Sequence, residues 1–241
     1  MIKKNILAAS IAAIISIPSV SLAADNPWYV GININAADVD DIESTSTAPV
    51  AGVNRSLDLD SDSDTGFGIK VGKTLFTSAN GNEFSVELSY ETIDTDIDGI
   101  VFQGNPFSAD AGTAEGDVEV DTILLRAIYQ FELGLIDPYV GFGIGSTDLE
   151  VDARYGGSIG SASQTQPPFA SQGSSEFSYQ FRVGAEYDLS DNFGLFLEYT
   201  RTETDDVDFQ RLGGGPGGLA TTTQEADLDI DSINFGVNYR F

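Results

Sequence analysis

The sequence has 241 residues, no cysteine, no histidine and a formal net charge of −27. This composition excludes a disulfide framework and a Ser-His-acid catalytic triad, and the negative charge opposes binding to nucleic acid. We therefore expect no nucleic-acid partner. Asp/Glu pairs remain available for acid–base chemistry, but acidic pairs are too common in this sequence to indicate catalysis. We expect no enzymatic activity, no cofactor, and no catalytic, cofactor-binding or metal-ligating residue.

The first predicted element is a secretory signal peptide. Two lysines precede an apolar run from Ile6 to Ile17, and Ser21-Leu22-Ala23 places small residues at a cleavage position. The apolar run is too short to span a membrane as a helix. We expect residues 1–23 to direct export and residues 24–241 to form a single domain.

The remaining chain alternates between apolar and polar residues with a period of two, which indicates β-strands. Alternately short and long connections separate the strands, and the long ones are rich in Gly, Ser, Thr and Pro. An even number of strands with this rhythm is typical of an outer-membrane barrel with periplasmic turns and extracellular loops. The eight predicted strands cover residues 27–40, 65–76, 83–98, 117–133, 138–153, 175–190, 193–208 and 226–241.

One face of each predicted strand is apolar and is expected to contact lipid. Aromatic residues close to the short turns are expected to form a girdle at the periplasmic interface. The predicted lipid-facing residues are Trp28, Val30, Ile32, Ile34, Phe67, Ile69, Val71, Phe84, Val86, Leu88, Tyr90, Ile123, Leu125, Ala127, Tyr129, Phe131, Val140, Phe142, Ile144, Phe177, Tyr179, Phe181, Val183, Leu195, Leu197, Tyr199, Ile233, Phe235, Val237, Tyr239 and Phe241. The predicted girdle consists of Trp28, Phe76, Phe84, Tyr129, Phe131, Tyr187, Phe193, Tyr239 and Phe241.

The opposite face carries charged residues that point into the barrel. The interior of an eight-stranded barrel is only wide enough for side chains to fill it, and an unpaired charge there costs several kcal/mol. The pattern therefore predicts an ion-pair plug between strands, with a gated ion path as the alternative. The inward-pointing charges are Lys70, Glu87, Arg126, Arg182, Glu198 and Arg240, with Glu91 and Glu186 nearby.

Beyond the apolar band, the pattern inverts and predicts a collar that leaves the membrane with its own apolar interior. The outward positions become acidic: Asp38, Asp40, Asp94, Asp96, Asp98, Asp117, Glu119, Asp121, Asp148, Glu150, Asp152, Glu203, Asp205, Asp227, Asp229 and Asp231. The inward positions become apolar: Val39, Ile93, Ile97, Val118, Val120, Leu149, Val151, Leu228 and Ile230. This apolar interior is either a packed core or, extended by Leu124, Ile128, Tyr139 and Phe196, the lining of a narrow pocket.

The acidic face of the collar has two interpretations. One is that it provides solubility and prevents aggregation of strand edges, or reflects adaptation to a salty habitat. The other is that Ca²⁺ or Mg²⁺ bridges it to lipopolysaccharide phosphates. The segment from Asp94 to Gly99 matches half of an EF-hand loop, but Asn105 stands where Glu is required. We interpret this segment as the end of a strand that opens into a turn. The alternating acids from Asp58 to Asp64 are out of phase with Phe67 and are assigned to a bulge or to the first loop.

Two further segments have a biased amino-acid composition and are predicted to be mobile extracellular loops that carry surface interactions. One covers residues 155–174 and is rich in Gly and Ser, and the other covers the glycine-rich residues 213–218. Loops of this composition offer few aromatic anchors for a tight interface.

The last predicted strand ends at Phe241 and resembles the C-terminal assembly signal of bacterial outer-membrane barrels. The stretch from Asp137 to Gly145, and the hairpin from Tyr187 to Tyr199, are similar to segments of the eight-stranded family typified by the OmpA transmembrane domain, OmpX and OmpW. The resemblance implies an all-β fold, an eight-stranded antiparallel up-and-down transmembrane barrel with an acidic-exterior extracellular extension, in the Gram-negative outer membrane.

The resemblance also implies partners and a role. The expected partners are outer-membrane lipid, lipopolysaccharide and the barrel-assembly machinery, which would bind the strand ending at Phe241, and we expect a monomer. The expected role is structural or in surface interaction. A narrow channel for small hydrophobic molecules, as implied by the likeness to OmpW, is the alternative, and an outer-membrane enzyme is a more distant one.

Overall fold

In the computed structural model, the backbone is described for residues 27–39, 42–46, 56–61, 64–103, 113–159, 162–165, 169–215 and 218–241. Side chains are described for residues 27–39, 65–94, 118–150, 175–205 and 228–241. The predicted signal peptide, residues 1–23, lies outside the described residues.

Eight long antiparallel strands close into a barrel. Each strand pairs with the next one along the ring, and the last pairs with the first. The ring strands are β1 (Trp28–Val39), β4 (Asp64–Thr77), β5 (Glu83–Gln103), β6 (Thr113–Gln130), β7 (Ile136–Ile159), β9 (Phe169–Asp188), β10 (Phe193–Gly215) and β11 (Gly218–Arg240). Pairing of Ile32 with Val237 closes the seam, so the described part of the ring has no unpaired strand edge. This closed barrel confirms the predicted fold class.

Three short strands extend the wall of the barrel. They are β2 (Ile42–Ser46), β3 (Ser56–Ser61) and β8 (Ala162–Thr165). The β2–β3 hairpin lies between β11 and β5, above the end of β1, and β8 pairs with β7. Asp58 and Asp60 therefore lie in the connection between β1 and β4, as the out-of-phase pattern predicted, whereas Asp64 begins β4.

The strands extend further from the membrane than the sequence pattern predicted. The predicted loop over residues 155–174 is wrong in part, because β7 continues to Ile159 and β9 begins at Phe169. The glycine-rich segment is also mostly strand, because β10 and β11 stay paired as far as Gly215 and Gly218. The alternation of apolar residues ends where the strands leave the lipid, but the backbone hydrogen bonding between strands continues beyond that point. The prediction of a turn after Asp94 is wrong for the same reason, since β5 runs through that segment to Gln103, and Asn105 lies outside the described residues.

The two faces of the barrel wall agree with the predicted phase. All predicted lipid-facing side chains are exposed or half-buried on the outside, and every predicted girdle residue is exposed. Pairs of girdle rings contact each other, with centroids of Phe193 and Tyr239 4.9 Å apart and those of Tyr129 and Phe131 5.0 Å apart. Phe76 reaches the girdle because the pairing of β4 with β5 shifts register between Thr74 and Phe76.

The collar has the predicted apolar interior. Inward side chains from five ring strands are 1–5% exposed, so they form a packed layer: Val39, Ile93, Val118, Val120, Leu149, Leu228 and Ile230. Ile97 and Val151 lie outside the described side chains. The described acidic residues of the collar are half-buried or exposed on the outer face: Asp38, Asp94, Glu119, Asp121, Asp148, Glu150, Glu203, Asp205, Asp229 and Asp231. The side chains of Asp40, Asp96, Asp98, Asp117, Asp152 and Asp227 lie outside the described part of the chain.

Candidate functional site

The charged side chains of the lumen come from five neighbouring or facing strands. Their alternation with lipid-facing residues turns each of them inward. Lys70 lies on β4, Glu87 and Glu91 on β5, Arg126 on β6, Arg182 on β9 and Glu198 on β10, and all are buried. Three cations and three carboxylates make this group neutral, as the predicted plug requires.

Arg182 is the centre of the plug. Its Nη1 lies 2.6 Å from Glu87 Oε2, and its Nη2 donates to Glu198 on the adjacent strand β10. Glu87 lies on β5, three strands away around the ring, so the first of these ion pairs crosses the lumen. The guanidinium is thereby held between two carboxylates from opposite walls, with a side chain only 1% exposed.

A second buried ion pair lies beside the first. Arg126 on β6 pairs with Glu91 on β5, and its side chain is 1% exposed. Gln180 crosses from β9 to join this pair, donating from Nε2 to Thr202 Oγ1 at 2.9 Å and to Glu91 Oε2 at 3.4 Å. The second pair is therefore also connected to the opposite wall.

A third ion-pair group closes the periplasmic rim. Arg240 Nη2 lies 2.6 Å from Glu186 Oε1, and its Nη1 lies 2.6 Å from Asp188 Oδ1. Asn238 donates to the other Glu186 oxygen at 2.8 Å. The structure thus confirms Arg240 and Glu186 as partners, but at the rim and separate from the central group.

Uncharged lumen residues, not predicted as partners, complete the plug. The hydroxyl of Tyr29 donates to Glu87 Oε1 at 2.9 Å, and that of Tyr139 donates to Glu198 Oε2 at 2.6 Å. Lys70 lies 3.7 Å from Glu87 and 3.6 Å above the Phe196 ring, a cation–π contact. Inward orientation was visible in the sequence, but these contacts depend on the register across the lumen.

Above the plug, a belt of hydroxyl groups joins four strands. Thr147 bonds to Thr122 at 3.1 Å and accepts from Ser178 at 2.7 Å, and Ser178 lies 3.2 Å from Thr204. All four side chains are buried. The belt separates the ionic layer from the apolar layer of the collar, so the lumen is filled by three different layers.

A small cleft lies at the periplasmic end of the lumen. It is lined by Tyr29, Lys70, Glu87, Tyr139 and other residues, and its volume is about 20 Å³, which is room for about one water molecule. Among the described residues, no group of three or more His, Cys, Asp or Glu side chains is placed to hold a metal ion. Within the same ranges, no helix is long and apolar enough to cross a membrane.

The collar carboxylates closest to the lipid-facing band accept hydrogen bonds from tyrosine hydroxyls. The sequence pattern did not predict these contacts. Tyr90 donates to Asp121 at 2.7 Å, Tyr199 donates to Asp231 at 2.6 Å, and Tyr179 donates to Glu203. In each pair the acid lies on the strand that follows the tyrosine along the ring. Tyrosine is suited to this boundary because its ring contacts lipid while its hydroxyl is hydrated.

Arg201 is a basic residue within the acidic collar. It lies 3.0 Å from Glu203, 2.8 Å from Asp229 and 3.3 Å from Asp231. The Tyr179 hydroxyl, followed by Arg201, lowers the pKa of Glu203 from its usual value. This cluster is solvent-exposed, so its ion pairs are screened, unlike those of the plug.

Chemically, the lumen is lined by paired charges. Glu87, Glu91, Glu186 and Glu198 each contact a guanidinium or ammonium group, and buried aromatic and aliphatic side chains lie beside these pairs. Such an arrangement can exclude water and ions, and removal of one partner would leave a buried charge uncompensated.

Comparisons with known proteins agree with the architecture. The family model described as "Outer membrane protein beta-barrel domain" matches residues 7–241. A search of curated proteins finds no match.

Several solved structures have a similar fold. The outer membrane protease OmpT of Escherichia coli is 8% identical with a TM-score of 0.58, covering 92% of this chain and 99% of that one. A major outer membrane protein of Thermus thermophilus is 11% identical with a TM-score of 0.55, covering 90% of this chain and 100% of that one. At these identities the likeness shows the fold alone.

Proposed function

The chain belongs to the outer membrane protein β-barrel domain family and resides in the Gram-negative outer membrane, and from this premise we propose that it is a closed barrel with a structural and surface-interaction role. The membrane-spanning part contributes to envelope integrity, and the collar and the loops make contacts at the cell surface. The lumen carries no solute in this proposal.

The position of Arg182 across the lumen is the observation that supports the proposal. The pair with Glu87 joins opposite walls at 2.6 Å, and the arginine side chain is 1% exposed. A conducting path would have to separate this buried pair, which costs several kcal/mol when one partner is left uncompensated. The packed apolar layer of the collar adds a second barrier on the extracellular side.

The proposed partners follow from the surface of the barrel. Outer-membrane lipid would cover the apolar band, and lipopolysaccharide would surround the acidic collar, with Ca²⁺ or Mg²⁺ bridging carboxylates to its phosphates. The barrel-assembly machinery would bind β11 and the residue that follows it, Phe241. The backbone N–H of Phe241 donates to Trp28 O at 2.9 Å in the closed barrel. We propose a monomer that does not bind nucleic acid.

A hydrophobic channel and an enzyme are the two alternative functions. A narrow channel for small hydrophobic molecules would require the apolar layer of the collar to be hollow, whereas its described side chains are 1–5% exposed. An enzyme would have to work without histidine, because the sequence has none. We propose that the protein has neither activity.

Reconstitution of the folded barrel tests the proposal. We expect planar bilayers to show no single-channel steps and liposomes to take up a small hydrophobic probe no faster than protein-free liposomes. Uptake of the probe without ionic steps would establish the hydrophobic channel instead. Ionic steps would establish a conducting lumen, and either result would refute the closed barrel.

A further inference from the structure

The short turn between β6 and β7 exposes apolar side chains where a periplasmic turn would normally be polar. Leu133 and Leu135 are each 73% exposed, and Ile136 is 58% exposed. The turn between β4 and β5 has the polar sequence Thr77 to Asn82, and the turn between β9 and β10 contains a single leucine, Leu189. The apolar surface therefore extends further on the β6–β7 side of the barrel than on the others.

The backbone of this turn is fixed in a way that keeps the leucines outside. The buried Asp137 accepts hydrogen bonds from the backbone N–H groups of Leu133 at 2.9 Å and Gly134 at 3.2 Å. Gly134 has φ of +114°, a conformation that favours glycine. The Phe131 N–H also donates to Pro138 O at 2.8 Å, so the two strands stay paired to the base of the turn.

The exposed leucines are continuous with the lipid-facing band. Leu133 continues the outward phase of Tyr129 and Phe131, whose rings are 5.0 Å apart in an edge-to-face contact. Ile136 begins the outward phase that continues with Val140 on β7. The outward apolar band of a transmembrane barrel faces lipid, so lipid is the occupant that this extension fits.

The acidic residue within the turn is directed away from the leucines. The Glu132 N–H donates to Asn82 Oδ1 at 3.1 Å, and its Cγ lies against Gly81 in the neighbouring turn. Its carboxylate therefore approaches the polar β4–β5 turn. This placement leaves the tip of the β6–β7 turn uncharged.

We propose that the β6–β7 turn is a one-sided lipid anchor that inserts into the interfacial region of the periplasmic leaflet. The leucine side chains would contact the boundary between headgroups and acyl chains, while the β4–β5 turn stays in water. The proposal rests on the location in the membrane and does not depend on whether the lumen conducts.

Tryptophan fluorescence can test the anchor because Trp28 is the only tryptophan of the chain. Trp28→Phe provides a background in which Leu135→Trp reports on the anchor and Ala79→Trp, in the exposed polar turn, is the matched control. Both are refolded into liposomes of phosphatidylcholine with or without bromine near the top of the acyl chains, and circular dichroism checks the β-structure. Leu133→Trp is a second reporter should Leu135→Trp fail to fold.

We expect the anchor reporter to emit at shorter wavelength than the control and to lose most of its emission in brominated lipid, while a water-soluble quencher affects mainly the control. Emission of Leu135→Trp and Leu133→Trp that matches the control and is insensitive to brominated lipid would overturn the proposal. That outcome would point to a periplasmic protein as the occupant of the turn.

Discussion

Replacing Arg182 with methionine should destabilise the barrel strongly, because it removes the cation between two buried carboxylates. Methionine keeps much of the apolar volume of the arginine side chain but has no charge. Glu87 would keep Lys70 at 3.7 Å and the Tyr29 hydroxyl at 2.9 Å, whereas Glu198 would keep the Tyr139 hydroxyl at 2.6 Å. Removal of one partner of a buried ion pair costs about 3–5 kcal/mol, and we expect the unfolding free energy to fall by this amount.

The double variant Arg182→Met/Glu198→Gln separates the ion pair from simple loss of packing. With both charges removed, the uncompensated carboxylate disappears. The loss of unfolding free energy in the double variant should therefore be smaller than the sum of the two single losses by about 0.5–3 kcal/mol. Arg201→Met is the matched surface control. Arg201 also contacts three carboxylates, but its side chain is 40% exposed, so its loss should cost much less than that of Arg182.

Reversible urea unfolding of the barrel in lipid vesicles, followed by tryptophan fluorescence, measures these free energies. An Arg182→Met variant that is no less stable than Arg201→Met would contradict a role for the buried ion pair. Effects of Arg182→Met and Glu198→Gln that simply add would also contradict this role.

Three further predictions concern packing, pH and cations. Gly141→Val should lower the urea midpoint of unfolding, since a Cβ there would lie 2.5 Å from Ile128 Cδ1 and 2.8 Å from Arg182 Cδ. Overpacking of this kind costs about 1–3 kcal/mol. An unchanged midpoint would show that the barrel wall can shift to accommodate the valine. Because the folded pKa of Glu203 is lowered, its stabilising contribution is present above the unfolded pKa and is lost as pH falls through the folded value. The melting temperatures of wild type and Glu203→Gln should therefore differ at neutral pH and converge in acid, and a constant difference would contradict the assignment. If divalent cations bridge the collar to lipopolysaccharide phosphates, their chelation should lower the melting temperature in membranes that contain lipopolysaccharide. Equal melting curves with and without chelator would refute the bridging.

The inward and outward faces could be predicted from the sequence because the period of two applies to every strand of a barrel. Arg182 and Glu198 could be assigned to the lumen from their phase alone. Their partners could not, since the pair between Arg182 and Glu87 joins strands that are not neighbours and depends on the tilt and register of the whole barrel. The roles of Tyr29 and Tyr139 required the same information.

Strand ends were predicted less well than strand faces. The signal used was apolar alternation, which reflects contact with lipid, whereas β10 and β11 stay paired through polar and glycine-rich residues as far as Gly215. The tyrosine–acid pairs of the collar were missed for a related reason. Tyr179 was recognised as lipid-facing, but its contact with Glu203 follows from the pairing of β9 with β10.

Thiol accessibility of the lumen tests the closed plug most directly, because the chain has no cysteine and each introduced thiol is unique. Ser89 lies between Glu87 and Glu91 on the lumen side and is 3% exposed, whereas Ser190 is exposed in the β9–β10 turn. In the folded barrel, a small charged thiol reagent should modify Ser190→Cys rapidly and Ser89→Cys only after unfolding. Modification of both thiols at similar rates in the folded barrel would show that water and ions reach the plug, and would contradict a closed lumen.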